Sequence, residues 1–387
     1  MSAGTLALYV HWPWCRHKCP YCDFNSHVQA DRPAEAYTNA LLAEISHLKG
    51  IVGKRTLTSV FFGGGTPSLM EPDQVNRIVT AALAAFDAAA DIEITLEANP
   101  TSSEAAKFAG FKTAGVNRFS IGVQSLTQQD LTFLGREHSA TEALKVVEMA
   151  LGTVGNVNLD LIFGLPEQKL SNWEAQLKTA LGMGTQHMSC YQLTIEPGTA
   201  FYGQVRKGMF TMPDSDIQAD FDEATRSLLG TNGYTNYEIS NHALNGKACK
   251  HNVAVWQYGD YAGIGAGAHG RITLQDGTKV ATRGYKMPDT YLKNVTEHGH
   301  GWFEQPPIDA LRQTEEALLM GLRLRDGVAL GGLPLPLQDV VNMDGLSHMI
   351  RLGFLAKTDH NLRLTPAGWP LLDGVLRHIL PERDGLY

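Results

Sequence analysis

Three cysteines stand within eight positions of HWPWCRHKCPYCDF (residues 11–24), at Cys15, Cys19 and Cys22, with C-x3-C-x2-C spacing. Thiolates this close in sequence can wrap one small ion or cluster, and iron–sulfur clusters are normally held by cysteine thiolates. A [4Fe–4S] cube needs four ligands, so three leave one iron open to a small chelating molecule. The competing reading is a zinc knot completed by His11 or His17. Zinc knots usually pair a C-x2-C with a distant second pair, and neither Cys190 nor Cys249 supplies one. Those two read as core residues.

The elements that must position this loop are short β-branched or apolar runs, each ending in Gly, Pro or polar residues and followed by helical periodicity. LALYVH (6–11) leads into the cysteine loop. Asp31 then reads as a helix N-cap, with Pro33 in the first turn and Tyr37, Leu41, Ile45 and Leu48 along one face. TSVFF (58–62), DIEITLEANP (91–100), NRFSIGVQS (117–125), NLDLIFGLP (158–166) and HMSCYQLTIEP (187–197) repeat the plan. Near-continuous apolar strands separated by helices indicate parallel βα units covered on both faces. Six strands fall short of a closed eight-stranded barrel. The expected fold is therefore an α/β partial (βα)6 barrel, with its chemistry at the C-terminal strand ends.

Two of those ends carry chemistry of their own. GGGTP (63–67) follows a strand, and its glycines let backbone approach a ligand closely; it lacks the Lys-Ser/Thr of a P-loop. Glu97 in LEANP could take ribose hydroxyls or an ammonium group, since a buried carboxylate without a partner is costly. GIGAGAHG (263–270) mimics a dinucleotide fingerprint but follows the barrel strands and lacks the required acid further on.

The chain has 387 residues, 43% hydrophobic and 19% charged, with a formal charge of −8. That suits a large globular protein and gives no electrostatic encouragement for nucleic acid or an anionic membrane. The N-terminal MSAGTLALYV lacks a charged region and a cleavable apolar stretch, which predicts a cytoplasmic location. Three domains are expected: the barrel over 1–235, an associated extension over 236–304 and a winged-helix-like α+β unit over 305–387. Helices at 308–325 and 337–351, a hairpin in GFLAKTDHNLRLTPAG and a final helix to about 380 support the last. Acids slightly outnumber bases there, so docking to protein is a better role than binding DNA.

C-x3-C-x2-C after a first strand ending YVHWPW resembles the radical S-adenosylmethionine (SAM) superfamily. In that superfamily the open iron chelates SAM, and one-electron reduction of the sulfonium yields an adenosyl radical. The resemblance implies that GGGTP, here Gly64, Gly65 and Thr66, meets the methionyl amino group. It also implies that Glu97, Gln124, Arg136 and Asp160 line the SAM pocket, with Arg136 paired to a carboxylate. Tyr9 and Tyr21 match contacts near cluster and cofactor. YVHWPWC, FFGGGTPS, GVNRFSIGVQS, NLDLIFGLP, YQLTIEP and GDYAGIGAGAHG together resemble the oxygen-independent coproporphyrinogen oxidase group. Its decarboxylating HemN branch has a fourth cysteine, C-x3-C-x2-C-x-C, and a longer N-terminal extension. Here Phe24 stands at that position and 14 residues precede Cys15, which resembles the HemW-type branch of heme chaperones.

Members of that branch carry H-N-x-x-Y-W. The string here is HNVAVW (251–256), so His251, Asn252 and Trp256 match while Val255 replaces Tyr. A neutral imidazole suits heme iron and Trp offers a flat apolar wall; His242 and His269 are alternatives. The resemblance implies bound heme, an acceptor protein that receives it and an electron-donor protein, with any membrane association arising through the acceptor. SAM cleavage is expected; coproporphyrinogen oxidation is not.

Overall fold

A computed structural model describes residues 4–303 and 307–381. Six parallel strands follow one another in chain order: β1 (Thr5–Trp12), β2 (Thr56–Gly64), β3 (Asp87–Ala98), β4 (Arg118–Gln124), β5 (Val157–Phe163) and β6 (His187–Gln192). Each is followed by helix, and their outward residues, such as Phe119, Ile121, Leu159 and Leu161, join one large apolar core.

The sheet is longer than six strands. Beside β6 lies β8 (Asn241–Ala243) and then β7 (Thr235–Glu238), both antiparallel; beside β1 lies parallel β9 (Tyr261–Ile264), followed by antiparallel β10 (His269–Thr273) and β11 (Lys279–Arg283). The order is β11-β10-β9-β1-β2-β3-β4-β5-β6-β8-β7, and among the described residues its two ends do not pair. None of the five added strands exceeds five residues, too short for periodicity to reveal them. GIGAGAHG forms the turn from β9 into β10, not a strand-to-helix phosphate loop.

Helix α1 (Ala34–Val52) buries Tyr37, Leu41, Ile45 and Leu48 as their spacing predicts. Asp31 does not cap it. Pro33 occupies the N-cap position without a side-chain bond, and a proline disfavours helical backbone in the residue before it, so the helix cannot reach back to Asp31. After β2, helix α2 (Pro72–Ala85) stops before Asp87, where β3 begins.

The short helix α3 (Lys250–Trp256) carries HNVAVW and packs on β1 and β2. The expected boundary at 304/305 lies outside the described residues. Beyond it, α4 (Ala310–Gly321) is shorter than expected, and the segment expected to be helical from 337 is a single turn followed by α5 (Met343–Arg351). Asn342 stops the earlier turn from continuing by capping α5, accepting from Asp344 N and Gly345 N at 3.1 Å. The hairpin β13 (Leu355–Lys357) and β14 (Asn361–Leu364) gains an unforeseen partner, β12 (Val328–Ala329), before the final helix α6 (Leu372–Ile379). This unit has its own core, including Leu318, Leu346, Leu362 and Val375. It docks on the barrel edge through a Glu238–Leu324 bridge and a two-bond fork from Arg271 to Glu316 at 2.7 and 3.0 Å. No helix among the described residues is long and apolar enough to cross a membrane.

Candidate functional site

Side chains alternate across a strand, so a polar residue at every second position points to the opposite side from the apolar core. Arg118, Ser120, Gly122 and Gln124 of β4 do this, as do Asn158 and Asp160 of β5; all six face one cavity of about 860 Å3. The same cavity is bordered by Cys15, Cys19, Cys22, Tyr9, Tyr21, Gly64, Gly65, Thr66, Glu97, Arg136, His251, Asn252 and Trp256. The structure thus brings the side chains nominated for cluster and SAM, with His251, Asn252 and Trp256, to one enclosure. Cys190 and Cys249 are buried in the core and are not on its wall.

The cysteine loop is tied down locally. Lys18 Nζ donates to the Phe24 carbonyl at 2.9 Å, the Ser26 carbonyl at 3.2 Å and Ser26 Oγ at 2.9 Å. Phe24 itself is exposed on the cavity margin. A directed hydrogen-bond chain links two of the thiols: Thr66 Oγ1 donates to Cys15 Sγ (3.4 Å), Asn99 Nδ2 to Thr66 Oγ1 (3.2 Å), Arg136 Nη2 to Asn99 Oδ1 (2.6 Å) and Arg136 Nη1 to Cys19 Sγ (3.3 Å). Asn99 was not nominated from sequence, although its place two residues after Glu97 on the same inward face marks it. Arg136 also donates to the Gly122 carbonyl at 3.0 Å, and its Nε is buried without a partner. Its partners are the Cys19 thiol, the Asn99 amide, the Gly122 carbonyl and the Tyr21 hydroxyl, with no side-chain carboxylate among the described residues.

This donor set fits a thiolate-held cluster. Burial pushes the Cys15 and Cys22 thiols above their ordinary range, and coordination to iron, which takes the thiolate, opposes that. The zinc-knot reading fits poorly. Both ring nitrogens of His11 are engaged, by Tyr9 Oη at 3.1 Å and the Asn25 carbonyl at 2.8 Å. Among the described residues no three His, Cys, Asp or Glu side chains converge on a point suited to a single ion; ligands arranged around a cube stand further apart.

GGGTP is locked by its neighbours. Gly64 N donates to Glu97 Oε2 at 3.2 Å, Gly65 N to the Trp12 carbonyl at 2.7 Å and Thr66 N to the Trp14 carbonyl at 2.9 Å. With those donors spent, the segment can offer a ligand its carbonyls, which suits an ammonium group. Gly64 has φ +112°, and a Cβ on Gly65 would lie 2.6 Å from the Trp14 carbonyl oxygen, so neither tolerates a side chain. Gln124 ends β4 at φ 68°, left-handed backbone for a non-glycine residue, the kind of strain that collects at functional sites.

Two carboxylates sit deeper. Asp160 accepts from Asn158 Nδ2 at 2.7 Å and Ser120 Oγ at 3.2 Å. Burial first, then the nearby Asp160 charge, pushes Glu97 up to about 8. Tyr21 packs on Phe201 with ring centroids 6.4 Å apart.

The HNVAVW helix supplies another wall. His251 Nδ1 is 3.1 Å from Ser59 Oγ, its ring lies 5.1 Å from that of Phe61 and 6.1 Å from that of Tyr9, and burial pushes its pKa down to about 3. No described hydrogen bond uses its Nε2. Glu93 Oε1 holds the start of this helix, accepting from Lys250 N at 3.0 Å and Cys249 Sγ at 3.3 Å. Trp256 lies under the Arg323 guanidinium, 4.5 Å from its ring centroid. Of the alternatives, His242 is buried away from the cavity with neither ring nitrogen hydrogen-bonded, and His269 is exposed on the cavity margin.

Residues 9–180 match the radical SAM superfamily and residues 308–371 the HemN C-terminal domain. The chain is 36% identical to the heme chaperone HemW of Escherichia coli, over 97% of this chain and 98% of that protein. It is 41% identical to the mitochondrial radical S-adenosyl methionine domain-containing protein 1 of Mus musculus, over 98% of this chain and 89% of the relative. Its fold is shared with the solved structure of coproporphyrinogen III oxidase (HemN) from Escherichia coli, at TM-score 0.80 and 22% identity, covering 97% and 90% of the two chains. The chain belongs to the radical SAM superfamily and, within it, to the HemW family of heme chaperones.

Proposed function

We propose that this protein binds heme, a [4Fe–4S] cluster and SAM, and passes the heme to an acceptor protein. The observation that carries the reading is the meeting, on one cavity, of three loop thiols and an imidazole whose Nε2 is uncommitted. Cys15, Cys19 and Cys22 would hold the cluster, and Arg136, Glu97, Asp160, Gln124 and the GGGTP carbonyls would hold SAM. When bound, cluster and SAM supply one-electron chemistry at the C-terminal strand ends.

The chain's own part is placement. The Thr66–Asn99–Arg136 chain fixes two thiols relative to one another, and β2 carries Ser59 and runs into GGGTP, joining the SAM wall to the heme wall. For heme, the fit rests on His251: burial keeps the ring neutral, as an iron ligand must be, and the Ser59 hydroxyl fixes its orientation through Nδ1. Trp256 and the aromatic rings of Phe61 and Tyr9 would supply an apolar wall, with the polar Asn252 on the same cavity. An electron-donor protein would supply the cluster's electron, and clustered free thiols fit a reducing compartment such as the cytoplasm.

The test is anaerobic reconstitution with iron and sulfide, titration with heme, and mixing with an apo-hemoprotein. Stoichiometric heme binding followed by transfer supports the reading. Conversion of coproporphyrinogen III to protoporphyrinogen in the presence of SAM and reductant would replace it with the oxidase activity.

A further inference from the structure

Arg118 opens β4 and is 2% exposed, yet it borders the cavity. Its guanidinium carries five N–H donors in a planar fork. Among the described residues its hydrogen bonding is thin: Nη1 reaches Thr95 Oγ1 at 3.5 Å, while Nε stands 3.9 Å from Glu93 Oε2 and has no hydrogen-bond partner. Glu93 and Asp160 balance the charge from a distance, but neither is hydrogen-bonded to the guanidinium, and the other Glu93 oxygen is occupied by the start of α3. A buried guanidinium left this way is costly, and its fork is shaped to receive a carboxylate through two parallel bonds.

The register says where such a carboxylate would come from. Arg118 pairs with Thr95, and Thr95 with Phe61; the Phe61 ring lies against that of His251. Two strand spacings, about 10 Å, separate Phe61 from Arg118. That is commensurate with the path from the centre of a tetrapyrrole to its carboxylate edge. The methionyl carboxylate of SAM is a second source of the same chemistry, but Arg136, on the Cys19 thiol, is the better-placed arginine for a molecule that chelates the cluster. We infer that Arg118 is a heme-binding residue that takes a propionate carboxylate inside the barrel, an inference resting on the heme reading above.

The experiment compares iron deuteroporphyrin with its dimethyl ester, titrated into the reconstituted full chain and into Arg118→Gln. In the unmodified protein, esterification should weaken binding by about tenfold or more, the scale of a lost charge-assisted fork. In Arg118→Gln the free acid should fall to the affinity of the ester, while the ester itself is unaffected. Esterification that costs as much in the variant as in the unmodified chain would overturn the assignment. So would loss of SAM affinity with porphyrin binding unchanged, which would give Arg118 to the methionyl carboxylate. If Arg118→Gln does not fold, Arg118→Lys keeps the charge and loses the fork: reduced discrimination supports the inference, and undiminished discrimination rejects it. Failure of the unmodified chain to bind either porphyrin would instead reject the heme reading, and would show before any variant is made.

Discussion

Arg136 and Cys19 lie 117 positions apart in the chain, yet Arg136 Nη1 donates to Cys19 Sγ at 3.3 Å. The same guanidinium grips Asn99 and the Gly122 carbonyl, so one side chain spans from the cluster loop to two strand ends. Arg136→Lys retains charge but cannot make all three contacts. SAM affinity should drop by roughly tenfold or more, the worth of about 1.5–3 kcal/mol for bonds to a charged group. Iron content should stay near that of the unmodified protein, because the thiols remain; equilibrium dialysis and iron analysis on one sample check both.

Serine at Cys15, Cys19 or Cys22 should abolish the broad visible iron–sulfur absorption, whereas Cys190→Ser and Cys249→Ser should keep it. Burial pushes the Cys249 thiol up to about 12 and the Cys190 thiol higher still, and a thiol kept protonated is a poor metal ligand. Equal loss of absorption in either core variant would contradict a three-cysteine cluster.

Glu97 makes a pH prediction. Its folded pKa, about 8, lies above its ordinary value of 4.5, so the folded state holds a proton that the unfolded state releases. The stabilisation is complete below about 4.5 and is lost as pH rises through 8. Unliganded Glu97→Gln should therefore gain thermal stability relative to the unmodified protein as pH climbs from 5 to 8. A melting-temperature gap independent of pH over that interval would refute the assignment.

His251→Ala should reduce heme affinity or shift the Soret band while leaving the iron–sulfur spectrum intact. Val255→Tyr, which restores the residue usual in the resembled motif, should strengthen heme binding or leave it unchanged, since Val255 borders the cavity. Superimposable heme titrations and an unmoved Soret band for His251→Ala would withdraw His251, leaving it as a core imidazole bonded to Ser59.

Motif spacing made the cysteine loop legible, and long apolar runs made the six central strands so. The edge strands were not, because three to five residues cannot display a period and their pairing is set by distant partners such as β1 and β6. Asn99 and Arg118 were missed for another reason. Their alternation with Glu97 and with Ser120 was visible, but a mostly apolar strand in a parallel sheet draws the eye to its packing face, and which face meets a cavity is decided only when the sheet curves. Asp31 misled because a good capping residue two positions before a proline is overruled by the proline.

Arg323 lies over Trp256 and pairs with Glu238 at 3.6 Å, so the C-terminal unit completes one side of the cavity. All the cysteine, GGGTP and acidic side chains nominated for cluster and SAM precede residue 161, while the HNVAVW wall waits for Arg323. Synthesis proceeds from the N-terminus and domains fold largely in that order. A chain still on the ribosome thus exposes the three cysteines proposed to hold the cluster well before the proposed heme wall is finished.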